Sequence, residues 1–314
     1  MEVISMPMWA WILFYALVIV MLYADLKLFG RKGQHEVSIS EALKMTAVWI
    51  IVSLIFCGGI WFYEGDNKAM EFLAGYLIEK SLSMDNLFVF LMLFSFFGVQ
   101  RKYQHEVLFW GIFGALILRS IFIFAGAAMV QRFEWILGIF GVFLIYTGIK
   151  MFNHQEESVD PSKNIFVKLF KKFFPVTDQM HEDKFFIVEQ GKRLATPLFI
   201  ALLVIETTDV AFAVDSIPAV FSVSRDPFIV LTSNIFAILG LRALYFALAA
   251  IAQYFAYLKY GLGIILSFVG VKMLLEVLWD INIPTPISLL IIFGVLMLSM
   301  LASYVATLYS RRRQ

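Results

Sequence analysis

Residues 197–221 read PLFIALLVIETTDVAFAVDSIPAVF, an apolar run interrupted by three acidic residues. A bilayer core about 30 Å thick is crossed by about 20 mainly apolar residues in a helix. Placing a charged side chain at the centre of such a helix costs about 2.5–3.5 kcal/mol. Acids that persist within a membrane helix therefore indicate a polar functional site inside a transmembrane protein.

The whole chain has the composition of a membrane protein. Of its 314 residues, 61% are hydrophobic and 16% are charged, whereas soluble domains have about 45–50% apolar and about 25% charged residues. The net charge of +1 gives no attraction to nucleic acid, so no nucleic-acid partner is expected. The only cysteine, Cys57, excludes an intrachain disulfide and a cysteine metal cluster.

Nine apolar segments predict an all-α fold, a polytopic transmembrane helix bundle of about nine spans. The segments are 7–24, 42–63, 69–97, 106–130, 134–152, 197–221, 228–251, 260–279 and 286–308. The lipid bilayer is thus the partner along most of the chain.

The distribution of positive charge predicts the orientation. Of the 25 Lys and Arg residues, four lie in the interior of predicted spans and three lie on the side of the 63–69 connection, which leaves 18 in loops or at span ends on the other side. Because cytoplasmic loops are rich in Lys and Arg, the N-terminus is predicted outside and the C-terminus in the cytoplasm. The polar stretch 154–195 is then a cytoplasmic linker, with an amphipathic interfacial helix and two short strands around Glu189–Lys192.

Three sequence patterns occur twice, in the same order. Glu79 and Asp85 followed by Asn86 match Asp209 and Asp215 followed by Ser216; 112–119 (IFGALILR) matches 235–242 (IFAILGLR); and 148–151 (GIKM) matches 270–273 (GVKM). The first unit begins outside and the second in the cytoplasm, so we expect an inverted repeat of three plus three helices. Inverted repeats are characteristic of secondary transporters, which bind their substrate near the bilayer midplane.

The repeat divides the chain into five parts. They are two N-terminal spans (1–65), a first three-helix repeat (66–153), the cytoplasmic linker (154–195), a second, inverted three-helix repeat (196–280), and a final span with a basic cytoplasmic tail (281–314).

Five acids are predicted near the middle of the bilayer: Glu79, Asp85, Glu206, Asp209 and Asp215. Together they cost on the order of 12–18 kcal/mol, so they must face the bundle interior or an aqueous cavity. Two arginines at matching mid-span positions, Arg119 and Arg242, either balance this charge and change partners when the site is empty, or form fixed structural pairs. Two arginines cannot neutralise five carboxylates, and the remaining negative charge requires a bound cation or protons.

The predicted ligands are all oxygen atoms. They belong to the five acids, Asn86 and Ser216, with Thr207 and Asn234 as candidate additional ligands. Carboxylate, amide and hydroxyl oxygens suit Mg²⁺, Ca²⁺ or Mn²⁺, and this chemistry alone does not choose among them. The metal ion is expected as the transported substrate, and no organic cofactor is expected.

Helix geometry limits which acids can act together. Positions six apart point about 120° away from each other on a straight helix, whereas Glu206 and Asp209, three apart, share a face. An unwound segment near Pro218, which lacks an N–H, would re-aim Asp215.

Four other charged residues are predicted near span ends. Lys80 and Lys272 are expected to extend toward the membrane surface, Lys272 to pair with Glu276, and Asp25 to be solvated.

These motifs resemble the TerC family, named for tellurite resistance, and in particular its Alx-type members. The residues that carry the resemblance are 79–86 (EKSLSMDN), 204–219 (VIETTDVAFAVDSIPA), 173–176 (FFPV) and 183–186 (DKFF). It extends over nearly the whole chain and implies a bacterial inner-membrane protein of the LysE-type transporter superfamily that exports Mn²⁺. It also implies that the acids of the two long motifs are the metal residues; the preference for Mn²⁺ comes from the resemblance alone.

Two other classes of protein compete with a transporter. Paired intramembrane acids are found in aspartyl proteases, but the repeat and the surplus of acids weigh against an enzyme, so no catalytic residue is assigned. A membrane scaffold could deliver metal to secreted metalloproteins or support stress resistance, and metal flux distinguishes it from an exporter. The sequence leaves the oligomeric state open.

Export also needs a source of energy. Moving a divalent cation out against about 100 mV costs about 4.6 kcal/mol. The sequence has no Gly-x-x-x-x-Gly-Lys nucleotide-binding motif, so exchange for two protons is the expected coupling.

Overall fold

A computed structural model describes residues 6–30, 38–133, 135–152, 164–177, 179, 184–189, 191–251 and 258–311. The helices are α1 (Met8–Gly30), α2 (Ile39–Glu64), α3 (Asp66–Phe96), α4 (Arg101–Arg132), α5 (Ile136–Lys150), α6 (Ile165–Phe173), α7 (Pro197–Phe221), α8 (Pro227–Leu239), α9 (Leu241–Ile251), α10 (Leu258–Trp279) and α11 (Thr285–Arg311). Two strands, β1 (Phe186–Glu189) and β2 (Lys192–Ala195), form an antiparallel hairpin. The predicted all-helical class is confirmed, as are the helix and the two strands predicted in the linker.

In the part of the chain that the structure describes, six helices are long and apolar enough to cross a membrane: α1, α2, α4, α7, α10 and α11. A seventh span results if α8 and α9, which are bent by 42° at Gly240, cross together. Helix α3 has 31 residues, but every 18-residue window of it contains more than two charged residues, and α5 has only 15 residues. The chain is a multi-pass membrane protein whose described residues include six to seven apolar spans, and nine spans stays a prediction that depends on α3 and α5.

The central helices α3, α4, α7 and α8 pack as two parallel pairs. Along α4 and α7 the contacts follow the same order in both helices: Gly111 with Ile205, Gly114 with Glu206, and Gly126 with Phe221. The same holds for α3 and α8: Lys68 with Asp226, Gly75 with Ser233, and Lys80 with Ala237. Helix α8 is buried over its whole length, which places it in the middle of the bundle.

Helices α5 and α10 approach each other backbone to backbone. A Cβ atom at Gly141 would lie 2.9 Å from the carbonyl oxygen of Gly270, and one at Gly148 would lie 2.6 Å from that of Gly263. The numbers rise along one helix as they fall along the other, so the two helices run antiparallel. Small residues allow this approach, which is a common means of holding membrane helices together.

One local prediction on α7 is wrong. The helix continues through Pro218, and the N–H of Ser222 donates to the carbonyl of Pro218 at 3.1 Å. No unwound segment lies beside Asp215, because a proline this close to the helix end removes only one hydrogen bond of the last turns.

Candidate functional site

Arg119 is the centre of a buried polar cluster that joins α3, α4, α7 and α8. Its guanidinium is fully buried and donates to the Oε1 atom of Glu79. Its Nε and Nη2 atoms donate to the two carboxylate oxygens of Asp209 at 3.4 and 3.2 Å. The Nη1 atom also donates to Ser216 Oγ at 3.3 Å and to Asn234 Oδ1 at 3.0 Å. Four of the predicted site residues and one predicted charge-balancing arginine therefore lie together.

The helix faces explain why these side chains meet. Buried positions on α4 include Ala115, Leu116, Arg119 and Ile123, which recur at the three-to-four-residue spacing of one helix face. Arg119 is thus the polar member of an inward apolar stripe. On α3, Ser83 lies one turn after Glu79 and donates to its Oε1 atom at 3.3 Å.

Glu206 lies one turn before Asp209 on α7 and points at α4. Its carboxylate occupies the space over Gly114, where a Cβ atom would collide with both carboxylate oxygens. The Oε2 atom of Glu206 is buried and has no hydrogen-bond partner among the described residues, and the same is true of Glu79 Oε2 and Asn234 Nδ2. Buried polar atoms are nearly always paired, so each of these three atoms can accept or donate a further hydrogen bond or, for the two carboxylates, bind a cation.

The described part of the cluster is negatively charged. One guanidinium is paired with the carboxylates of Glu79 and Asp209, and Glu206, one turn before Asp209 on α7, adds a third acid. Because an unpaired buried charge is costly, such a site favours a bound cation or protonation. Within the described residues, no three His, Cys, Asp or Glu side chains converge closely enough to hold a metal ion, and Arg119 lies between Glu79 and Asp209.

The other predicted ligands have different surroundings. The backbones of Asp85 and Asp215 lie in α3 and α7, but their side chains fall outside the described part of the structure. Asn86 is buried on α3, at 4% exposure. Thr207 donates to the Val204 carbonyl at 3.0 Å and accepts from Asn164 Nδ2 at 2.8 Å, so it contacts α6 rather than Arg119.

Arg242 does not join the cluster. It forms an ion pair with Asp25 of α1 at 2.8 Å and also donates to the Asp25 carbonyl at 2.6 Å. The bend at Gly240 directs α9 against α2 and away from the acids of α3 and α7. The two arginines therefore have unequal roles, and the prediction that Asp25 is solvated is wrong, because Arg242 covers it and leaves it 3% exposed.

Two buried lysines bind helix ends, a role that their sequence positions do not predict. Lys80 Nζ donates to the Ala237 carbonyl at 3.0 Å, and Lys272 Nζ donates to the Ser222 carbonyl at 3.0 Å. Their expected extension to the membrane surface is wrong, since they are 7% and 4% exposed. Glu276 does not pair with Lys272 but with Arg225, at 2.6 Å, because Lys272 is occupied by the end of α7.

Comparison with known proteins decides the family. A family model described as "Integral membrane protein TerC family" matches residues 64–313. The chain belongs to the TerC family. The match includes all four helices of the Arg119 cluster, whereas α1 and α2 lie almost entirely before it. The Asp25–Arg242 pair thus joins the N-terminal segment to the TerC part of the chain.

Several relatives resemble this TerC protein over almost their whole length. A Myxococcus xanthus protein described as an uncharacterized membrane protein is 48% identical, with 94% of this chain and 92% of that one covered. An Escherichia coli K12 protein named "Putative membrane-bound redox modulator Alx" is 46% identical, with 95% of each chain covered. A Rickettsia bellii membrane protein is 40% identical, with 94% and 97% covered. No solved structure matches the chain.

Proposed function

We propose that this TerC-family protein is a membrane transporter that exports a divalent metal cation, foremost Mn²⁺, through the Arg119 cluster. One observation carries the proposal: inside a membrane protein, one guanidinium is paired with the carboxylates of Glu79 and Asp209, and a third acid, Glu206, lies one turn before Asp209 on α7. The buried Oε2 atoms of Glu79 and Glu206 have no partner among the described residues. Oxygen ligands of this kind suit hard divalent cations.

Arg119 has a specific role in this proposal. In the cation-free arrangement it neutralises Glu79 and Asp209, and Ser216 and Asn234 accept its remaining N–H groups. An entering cation takes over the carboxylates and displaces the guanidinium. Asp85, Asp215 and Asn86 complete the proposed ligand set on the same two motifs. Mn²⁺ is chosen over Ca²⁺ and Mg²⁺ on the resemblance to the TerC family.

The helix directions support an inverted repeat. Helices α3 and α8 run parallel, as do α4 and α7, and α5 and α10 run antiparallel. Gly75 of α3 lies against Val220, near the end of α7, and the Arg119 cluster links Glu79 to the earlier Asp209, so α3 and α7 are antiparallel. Each helix of 66–153 is then antiparallel to its counterpart in 196–280, as a two-fold axis in the membrane plane requires. With α3 and α5 crossing, the protein has the nine spans and five parts proposed from its sequence.

Energetics and charge bias complete the proposal. In this proposal the protein lies in the bacterial inner membrane with its N-terminus outside, and it belongs to the LysE-type superfamily. It exchanges protons for metal at the same carboxylates. Metal binding to protonated acids releases protons, which gives a physical basis for antiport.

Redox modulation is the second candidate, because it appears in the name of the Escherichia coli relative. Direct thiol–disulfide exchange within one chain needs two cysteines, and this chain has Cys57 alone. A metal-delivery scaffold is the remaining alternative, and flux measurements separate it from an exporter.

The test is metal flux in vesicles reconstituted with the purified protein. We expect Mn²⁺ transport, reduced at least tenfold by Asp85→Asn and by Asp209→Asn, because each removes one negative charge without adding an insertion cost. Glu276→Gln is the control, since Glu276 pairs with Arg225 outside the cluster and is partly exposed. A pH dye should report proton movement opposite to the metal.

Three results would count against this proposal. Vesicles with no flux of any divalent cation would favour the scaffold. Full transport by both Asp variants would leave the acids with a structural role. Flux that an imposed pH gradient neither drives nor slows would exclude proton antiport.

A further inference from the structure

Helix α6 has three different faces, which become apparent when its nine residues are placed 100° apart around the helix axis. One face is apolar and 52–77% exposed; it consists of Ile165, Phe166, Leu169 and Phe173. A second face packs on the protein through Val167 and Phe170. The third is basic and exposed, and consists of Lys168, Lys171 and Lys172.

Two contacts fix α6 against α7. At its start, Asn164 caps the helix by accepting from Phe166 N and Val167 N, and its Nδ2 atom donates to Thr207 Oγ1 at 2.8 Å. Toward its end, the ring of Phe170 lies 5.0 Å from that of Phe199. The residue number falls along α7 as it rises along α6, so the two helices run antiparallel over about 9–12 Å.

This arrangement orients α6 relative to the bilayer. Helix α7 is an apolar span that begins at Pro197, so the Phe170–Phe199 contact lies near the membrane surface and the Asn164–Thr207 contact lies deeper. Lys171 and Lys172, in the last turn of α6, are therefore at the surface end. Ile165 and Phe166, in its first turn, are exposed at the deeper end.

We propose that α6 is a binding site for an anionic phospholipid. The exposed apolar face receives an acyl chain, and the three lysines hold the phosphate of the headgroup. A lipid fits better than a protein helix, because the site joins an apolar strip at membrane depth to positive charge at the surface, and α6 carries no acidic residue. Aromatic contacts in the linker stabilise the position of α6. The ring of Phe174 packs on Phe170 and on Phe186, and the ring of Phe186 packs on Phe199.

The site does not depend on metal transport, and its test measures lipid binding alone. Delipidated full-length protein is titrated with phosphatidylglycerol or phosphatidylcholine and analysed by native mass spectrometry. We expect phosphatidylglycerol to bind about tenfold more tightly. The triple variant Lys168→Gln, Lys171→Gln, Lys172→Gln should lose this preference. The control replaces three exposed lysines elsewhere, Lys27→Gln, Lys44→Gln and Lys192→Gln, and should keep it.

A second measurement locates the acyl chain. Phe166→Cys in a Cys57→Ser background gives one labelling position, and a fluorophore there should be quenched by lipids with brominated chains. Equal binding of the two lipids by the wild type, or the same loss in the control triple, overturns the proposal. A label at position 166 that brominated lipids do not quench also overturns it. Cross-linking would then show whether a second copy of the protein covers this position. If the α6 triple variant does not fold, the proposal is tested by quenching of the label at position 166 in the protein that keeps all three lysines.

Discussion

Gly114 sets the position of the Glu206 carboxylate. The acid lies against the bare Cα of this glycine, because any side chain there would occupy the space of its oxygen atoms. Position 114 therefore controls where the Glu206 carboxylate lies against α4, although glycine itself contributes no ligand. The sequence could not reveal this, since Gly114 resembles the other glycines of an apolar helix until α7 is placed beside it.

Gly114→Ala should reduce metal flux about tenfold or more, because Glu206 must move away from its position over α4. Filling occupied space also costs stability, typically about 1–3 kcal/mol, so the melting temperature in detergent should fall. Gly58→Ala is the matched control, because a Cβ atom at this glycine of α2 has no neighbour within 4 Å. Equal flux in the two variants would show that the position of Glu206 is not important.

At the scale of helices, buried lysines donate hydrogen bonds to the carbonyl groups at the ends of two central helices. The last carbonyls of a helix lack partners within it and carry partial negative charge. Lys80 from α3 serves the end of α8, beside the bend at Gly240, and Lys272 from α10 serves the end of α7. In each case a long side chain from a neighbouring helix replaces water in the interior of the bundle.

Lys80→Met should therefore destabilise the protein by roughly 1–3 kcal/mol, because the Ala237 carbonyl is left buried and unpaired. Thermal unfolding in detergent measures the change. Lys44→Met is the control, since Lys44 is exposed on α2. An unchanged melting temperature for Lys80→Met would mean that the end of α8 has another partner.

Which elements can be predicted depends on what determines them. Apolar length determines most helices, so the sequence predicts α1, α2, α4, α7, α10 and α11 well. The Glu79–Arg119–Asp209 contact follows in part from matching depths in the repeat. The Arg242–Asp25 pair could not be predicted, because it depends on the bend at Gly240 and on where α1 packs. For the lysines, the sequence shows their depth but not the carbonyls that they meet.

For the whole molecule, the charge bias predicts the orientation, and the described surface offers positions to test it. Asn67 and Lys192 are both exposed, and the charge bias assigns them to opposite sides. In a Cys57→Ser background, Asn67→Cys should react with an impermeant maleimide in intact cells, and Lys192→Cys only after permeabilisation. The reverse labelling pattern would show that the protein has the opposite orientation in the membrane.

The tethered guanidinium at the centre of the bundle implies selection by valence. Arg119 competes for Glu79 and Asp209 at an effective concentration that no free ion reaches, because it is part of the same chain. A sodium or potassium ion brings one charge to replace one charge, so it gains little Coulomb energy by the exchange. A divalent ion brings twice the charge, so it gains more Coulomb energy by the exchange. If the cluster binds the metal as proposed, we expect it to reject the abundant monovalent ions before ionic radius or coordination geometry comes into effect.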